Sequence, residues 1–108
     1  MEHNGEGFEI PDILYHGTTN NEEILRSIAI EGLNPFGRHK FVFLTESFDK
    51  AENEGKRHGG EAFVIQIDTN KMKEDGVEIL FNTRGVWLTR HVDPKYFMNL
   101  ELIEDGES

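Results

Sequence analysis

The sequence predicts an α+β fold. Short β-rich runs outnumber segments of helical period, the helical segments fall in the first half, and 108 residues suffice for one core but not two. The expected arrangement is a mixed or antiparallel sheet with helices packed on it, formed by one domain over residues 8–103. Residues 1–7 and 104–108 are polar and are expected to be loose tails.

Ile13-Leu14-Tyr15 is the first expected strand, with His16-Gly17-Thr18 as the turn that ends it. Thr19 or Asn20 then caps a helix, with Glu22 or Glu23 as the capping-box partner. Ile24, Leu25, Ile28 and Ala29 recur at helical spacing, and Gly32 supplies the C-cap. Residues 33–40 read as a loop holding Pro35 and Gly37. Phe41-Val42-Phe43-Leu44-Thr45 is a buried strand by its apolar density. Ser47 opens a second, weaker helix reaching about Lys56, and Gly59-Gly60 breaks the chain. Phe63-Val64-Ile65-Gln66-Ile67 is the clearest strand. A polar turn or short helix over 70–75, ended by Gly76, precedes strands expected over 77–81, 86–88 and 98–103; Pro94 starts a turn between the last two.

Composition removes several functions. No run approaches the roughly 18 apolar residues of a membrane span, and the polar start predicts that no signal peptide is present, so a cytoplasmic location without membrane association is expected. Without cysteine there is no disulfide framework and no thiolate ligand or nucleophile. His3, His16, His39, His58 and His91 show no spacing of a helical zinc motif. No G-x-S-x-G elbow, P-loop or G-x-G-x-x-G turn occurs. A net charge of −10 repels nucleic acid and anionic membranes, so strong RNA binding by this chain alone is not expected. A phosphate-bearing ligand would need a local group of donors.

Such groups exist. Arg38-His39-Lys40, Lys56-Arg57-His58, Arg84 and Arg90-His91 each flank a strand end or a glycine. Singly each reads as a solvated loop charge, whereas together they predict an anion pocket. His16 by itself reads equally as a hydrogen-bonded structural residue or as a ligand contact. Gly17 would let a ligand approach the backbone closely, and Thr18 adds a hydroxyl or belongs to the helix cap.

In order, the segments LYHGTT, ILRSIAIEGLNPFGRH, FVFLTES, GKRHGGEAFVIQID and GVWLTRHVDPKYF resemble the C-terminal lobe of the RNA 2′-phosphotransferases, NAD-dependent enzymes that remove a splice-junction 2′-phosphate from tRNA. The resemblance runs from about Leu14 to Phe97 and implies an ADP-ribosyltransferase-like fold with NAD as cofactor. It implies that Tyr15, His16, Gly17 and Thr18 lie against the NAD, with His16 bonding a ribose hydroxyl. Arg57 and His58 match the family's Arg-His-Gly segment, and Gly85-Val86 matches the strand behind the nicotinamide pocket. Thr45 and Ser47 stand where small polar residues follow the family's central strand. Arg38 matches an arginine that meets the reacting phosphate; with His16 and Arg84 it makes up the catalytic candidates.

The chain also departs from that pattern. The family's N-terminal RNA-binding lobe, with its further arginines and histidine, is expected to be missing, since residues 1–7 offer no match to it. Phe41-Val42-Phe43 replaces a His-x-His pair, and Asn82-Thr83-Arg84 replaces Arg-Ser-x-Asn. Where protein-modifying relatives carry a glutamate near the Gly-Val strand, Val86 and Trp87 stand here, which suits an acceptor that is already anionic and needs no general base. Glu46 and Glu78 are the nearest carboxylates by sequence. The primary expectation is an ADP-ribosyltransferase-type enzyme that transfers ADP-ribose to an unidentified phosphate-like acceptor, or cleaves NAD, with a partner chain as one source of the missing side chains. The alternatives are a catalytically reduced NAD or ADP-ribose module (sensor, sequestering protein or inhibitor) and a plain interaction domain whose acidic surface meets a basic partner.

Overall fold

The structure, a computed structural model, describes residues 9–57 and 59–100. Its elements in chain order are β1 (Ile13–Thr19), α1 (Glu22–Glu31), β2 (Val42–Leu44), α2 (Phe48–Gly55), β3 (Ala62–Asp68), α3 (Thr69–Glu74), β4 (Leu80–Phe81), β5 (Trp87–Thr89) and a 3₁₀ turn at Pro94–Tyr96. β1 pairs antiparallel with β3 from Ile13 opposite Asp68 to Thr19 opposite Ala62. β2, β5 and β4 form a second antiparallel sheet with β5 in the middle. The class is α+β, and every strand pairing among the described residues is antiparallel.

The two sheets meet where Tyr15 and Thr45 exchange backbone hydrogen bonds of 2.8 and 3.0 Å. One core joins them: Leu14, Ile65 and Ile67 from the first sheet, Val42, Leu44 and Trp87 from the second, with Met72 of α3 and Ile79, Val92 and Tyr96 from the connections. Each such side chain contributes about 1.5–3 kcal/mol by leaving water, so this contact holds the sheets together.

α2 lies on β1 through small residues. A Cβ on Gly17 would overlap the Ala51 carbonyl oxygen, and one on Gly55 would sit 2.6 Å from the Thr18 carbonyl oxygen and 2.7 Å from Ala62 Cβ. Ala51 and Gly55 are one helical turn apart, so they present a single flat face to the strand. Ser47 caps this helix by accepting from Lys50 N at 3.1 Å, as expected from the sequence.

Several boundaries differ from the sequence expectation. β1 does not end at Tyr15; it continues through His16, Gly17, Thr18 and Thr19, because β3 offers partners along its full length and α2 requires the glycine. Thr19 is thereby used in the ladder, Asn20 N bonds Glu61 O, and the cap of α1 falls to Asn21, whose Oδ1 accepts from Ile24 N at 3.1 Å. Glu22 and Glu23 are first-turn residues that favour the helix dipole without closing a capping box. α1 has no buried residue, and Ile24 and Ile30 face solvent. The strand expected over 77–81 is reduced to Leu80–Phe81, and the one over 86–88 shifts by one residue. In place of a strand from Met98, the Met98 N–H and the Asn99 amide bond the outer edge of β3 at Gln66 and Val64; residues 101–103 lie outside the described set.

A polar lock joins α3 to the 3₁₀ turn. Tyr96 Oη donates to Asp75 Oδ2 at 2.8 Å, and Lys95 Nζ lies 3.6 Å from the same oxygen. The tyrosine hydrogen bond, aided by Lys95, holds the Asp75 carboxyl below its ordinary value, while burial pushes the Tyr96 phenol up.

Two predictions follow from these contacts. Gly17→Ala should cost about 3 kcal/mol of stability through backbone overlap, whereas Gly85→Ala, at φ 82° with open space around it, should cost about 1 kcal/mol; urea unfolding midpoints measure both. A carboxyl lowered in the folded state stabilises fully above its unfolded value of about 3.9 and loses that contribution as pH falls through the folded value. The stability gap between the parent and Asp75→Asn should therefore be constant near neutrality and close on acidification below about pH 4. A gap that widens in acid would contradict the lock.

Candidate functional site

β1 is a polar strand laid through the middle of the fold. Leu14 anchors it in the core, while His16 and Thr18, on the same side by strand period, are only half-buried. Tyr15 points the other way, its ring edge-on to Phe48 of α2 at 5.8 Å.

His16 is oriented by β2. Its Nδ1 lies 2.9 Å from the carbonyl oxygen of Phe43, which only accepts, so Nδ1 carries the proton and donates. Among the described residues Nε2 has no partner, and none of their side-chain polar atoms is buried without one, so Nε2 is open as an acceptor. Burial holds the imidazole pKa below its ordinary value, against the opposite pulls of the Phe43 carbonyl and the Glu54 carboxylate. The ring is thus a neutral, fixed acceptor at pH 7, suited to a ligand hydroxyl.

The other expected site residues fall into separate places. Gly17 is required by the approach of α2, since the space a Cβ would need is filled by Ala51. Thr18 is a ladder residue opposite Phe63, with its backbone against Gly55. Thr45 Oγ1 accepts from Ser47 N at 3.1 Å, and the Ser47 hydroxyl is engaged at the helix cap. Arg57 bonds Glu54 at 3.0 Å, the same carboxylate whose charge acts on His16. His58 lies outside the described residues. Gly85 takes φ 82° in the β4–β5 turn, and Asn82 Oδ1 clamps that turn by accepting from Arg84 N and Val86 N at 3.0 Å each.

Arg38 and Arg84 do not occupy one place. β2 begins with Val42 opposite Thr89 and ends with Leu44 opposite Trp87, so Arg38 precedes one end of this ladder and Arg84 precedes the other. Glu46 accepts from Trp87 Nε1 at 3.0 Å, which ties this carboxylate to the Gly85-Val86-Trp87 strand although it comes from another. Glu78 is exposed, and its carbonyl accepts from Thr89.

Sequence reasoning missed the charge distribution that the second sheet creates. Residues 32–45 and 79–92 contain none of the 21 Asp and Glu, and they hold Arg38, Lys40, Arg84 and Arg90. Pairing of β2 with β5 and β4 assembles these two stretches into one sheet whose strands carry no acid, with Glu46 reaching Trp87 from the segment after β2. None of the four cations has an ion pair among the described residues; Arg90 lies over the Phe41 ring at 5.6 Å. The signal was present as two long gaps in the acidic residues, but only strand pairing makes them neighbours. An open depression of about 520 Å³ on the outside of α1 is lined by Glu22, Glu23, Arg26, Ser27, Ile30 and Glu31. Its three carboxylates disfavour an anionic ligand, and it includes none of the expected site residues. Among the described residues no group of histidines and carboxylates could hold a metal ion, and no helix is long and apolar enough to cross a membrane.

The α+β domain thus places a hydrogen-bonded histidine beside a sheet whose strands carry no acid and are flanked by cations. The chain belongs to the RNA 2′-phosphotransferase, Tpt1 / KptA family, whose model matches residues 2–91. It is similar to a probable RNA 2′-phosphotransferase of Acaryochloris marina, 42% identical over 91 residues that cover 84% of this chain and 48% of the relative. Similar proteins of the same description occur in Streptomyces coelicolor, at 38% over 86 residues, and Bacillus thuringiensis subsp. konkukian, at 34% over 86 residues; each alignment covers 80% of this chain and 45% of the relative. The chain thus spans about half the length of these relatives.

The tautomer is directly testable. Long-range ¹H–¹⁵N NMR should find the His16 proton on Nδ1 and a titration midpoint below the ordinary imidazole value of about 6.5. A proton on Nε2 at neutral pH would remove the basis for reading Nε2 as an acceptor.

Proposed function

We propose that this domain is the NAD-binding part of an ADP-ribosyltransferase-type enzyme and that it directs ADP-ribose to a phosphate-like acceptor. The observation that carries this reading is His16: a neutral imidazole held by the Phe43 carbonyl, with Nε2 free to accept from a ribose hydroxyl. The residues present fit a dinucleotide. His16 and Thr18 offer polar side chains on one face of β1, and the sheet of β2, β5 and β4 would supply cations for the diphosphate and for the acceptor.

NAD would supply an N-glycosidic bond whose cleavage expels neutral nicotinamide and leaves positive charge developing at the ribose carbon. His16 would fix the ribose so that this carbon faces the acceptor. Arg38, exposed and without an ion pair among the described residues, would steer the acceptor oxyanion to it. No general base is needed for an oxyanion. The remaining arginines and histidine of the family would come from another segment or a partner chain, and the acidic composition argues against strong RNA binding by this part alone.

A second reading keeps the binding and drops the chemistry. It is favoured by Phe41 and Phe43, which put non-titrating rings where the family has two histidines.

Calorimetry with NAD and a nicotinamide-release assay with phosphorylated acceptors separate the two. His16→Ala should weaken NAD binding about tenfold or more by removing the ribose contact. Arg38→Ala should leave NAD affinity within about twofold and reduce turnover about a hundredfold, the scale of losing one positioned charge donor. Binding without release favours the module; the absence of both binding and release would sink both readings.

A further inference from the structure

β3 pairs with β1 along one edge over its whole length, and its outer edge lies on the opposite side. On that outer edge Ile67 bridges Phe97, and Met98 N donates to Gln66 O at 2.8 Å. The Asn99 side chain then takes over from the backbone. Its Oδ1 accepts from Gln66 N at 2.8 Å, and its Nδ2 donates to Val64 O at 2.8 Å. One side-chain amide thus offers β3 the donor and acceptor that a neighbouring strand would offer. Phe97 and Leu100 pack on the core at either side of this clip, while Met98 and Asn99 are exposed.

A sheet edge accepts another extended chain unless charge, proline or a bulge blunts it. β3 uses none of these devices. From Ala62 to Ile67 it carries neither charge nor proline, and its register with β1 runs unbroken from Asp68 to Ala62. A short, apolar, uncharged run of this kind favours strand-to-strand association. Two identical strands can pair antiparallel about a two-fold axis, so one edge serves both partners. With Val64 at the axis, Gln66 of one copy faces Ala62 of the other. The outward groups of Gln66 and Val64 that now bond Met98 and Asn99 would then bond the second copy, so clip and copy exclude each other. We propose that the outer edge of β3 is a latent interface for a second copy of this chain, and that Asn99 keeps it closed. The interface uses none of the residues assigned to NAD or its acceptor.

Sedimentation equilibrium of the full chain, with amide hydrogen exchange at Gln66, tests this. Asn99→Ala should dimerise at least about tenfold more tightly than the parent, the scale of one or two hydrogen bonds no longer competing for the edge. In the parent the Gln66 amide should exchange slowly at every protein concentration. In Asn99→Ala it should exchange fast in dilute solution and slow again as the dimer forms. Met98→Pro removes the other bond of the clip, and Phe97, at φ −77° and ψ 130°, already has the conformation a following proline requires. It should promote the same dimer, and it decides the matter if Asn99→Ala fails to fold. A folded variant that stays monomeric, or that dimerises with the Gln66 amide still fast, would overturn the interface. Equal association of parent and variants would overturn the role of Asn99.

Discussion

The backbone contact between β1 and α2 is the constraint on which the remaining architecture turns. Gly17 admits the Ala51 carbonyl into space that any other residue would fill, and Gly55 does the same for Thr18 from the helix side. With α2 seated this closely, one side of β1 is closed. The other side is left to Leu14, which enters the core, and to His16 and Thr18, which do not. The same seating sets Phe48 against Tyr15. Packing and site geometry thus have one cause. A glycine in a strand normally weakens it; here it is the condition for the helix to lie flat.

The site works against the protein's overall charge. At −10 the molecule as a whole repels anions, yet the sheet formed by β2, β5 and β4 draws its strands from acid-free stretches and gathers cations at both ends of the β2–β5 ladder. Local arrangement prevails at short range because interactions between exposed charges fade beyond a Debye length of about 8–10 Å. Arg38 and Arg84 precede different ends of that ladder, so the cations are distributed along the sheet rather than gathered at one point.

Much of this was legible in the chain. Ser47 as a cap, Phe63 to Ile67 as a strand, the break at Gly59-Gly60 and the α+β class all followed from patterns a few residues long, and such patterns reflect local forces. Errors arose where a distant partner decided. His16-Gly17-Thr18 reads as a turn because glycine and polar residues usually mark one, but β3 pairs with all of it. Phe41 and Phe43 suggested a fully buried strand, whereas only Val42 and Leu44 face the core and Phe43 meets solvent. Asn82 ahead of Gly85 was a readable turn signal; Asn99, whose amide closes the edge of β3 at Gln66 and Val64, carried no local mark at all.

The sequence by itself determined the class of fold, the start of α2 at Ser47, the family resemblance carried by His16, Arg38 and the Gly-Val strand, and the need for a local rather than global source of positive charge. Those properties depend on residue type and short spacing. Tertiary structure alone decided why residue 17 is glycine, which nitrogen of His16 bears the proton, that Glu46 reaches Trp87, and that two acid-free stretches form one sheet. Each of these joins residues far apart along the chain, from His16 to Phe43 and from Glu46 to Trp87. Their proximity is set by the packing of the whole core, which no short window of sequence contains.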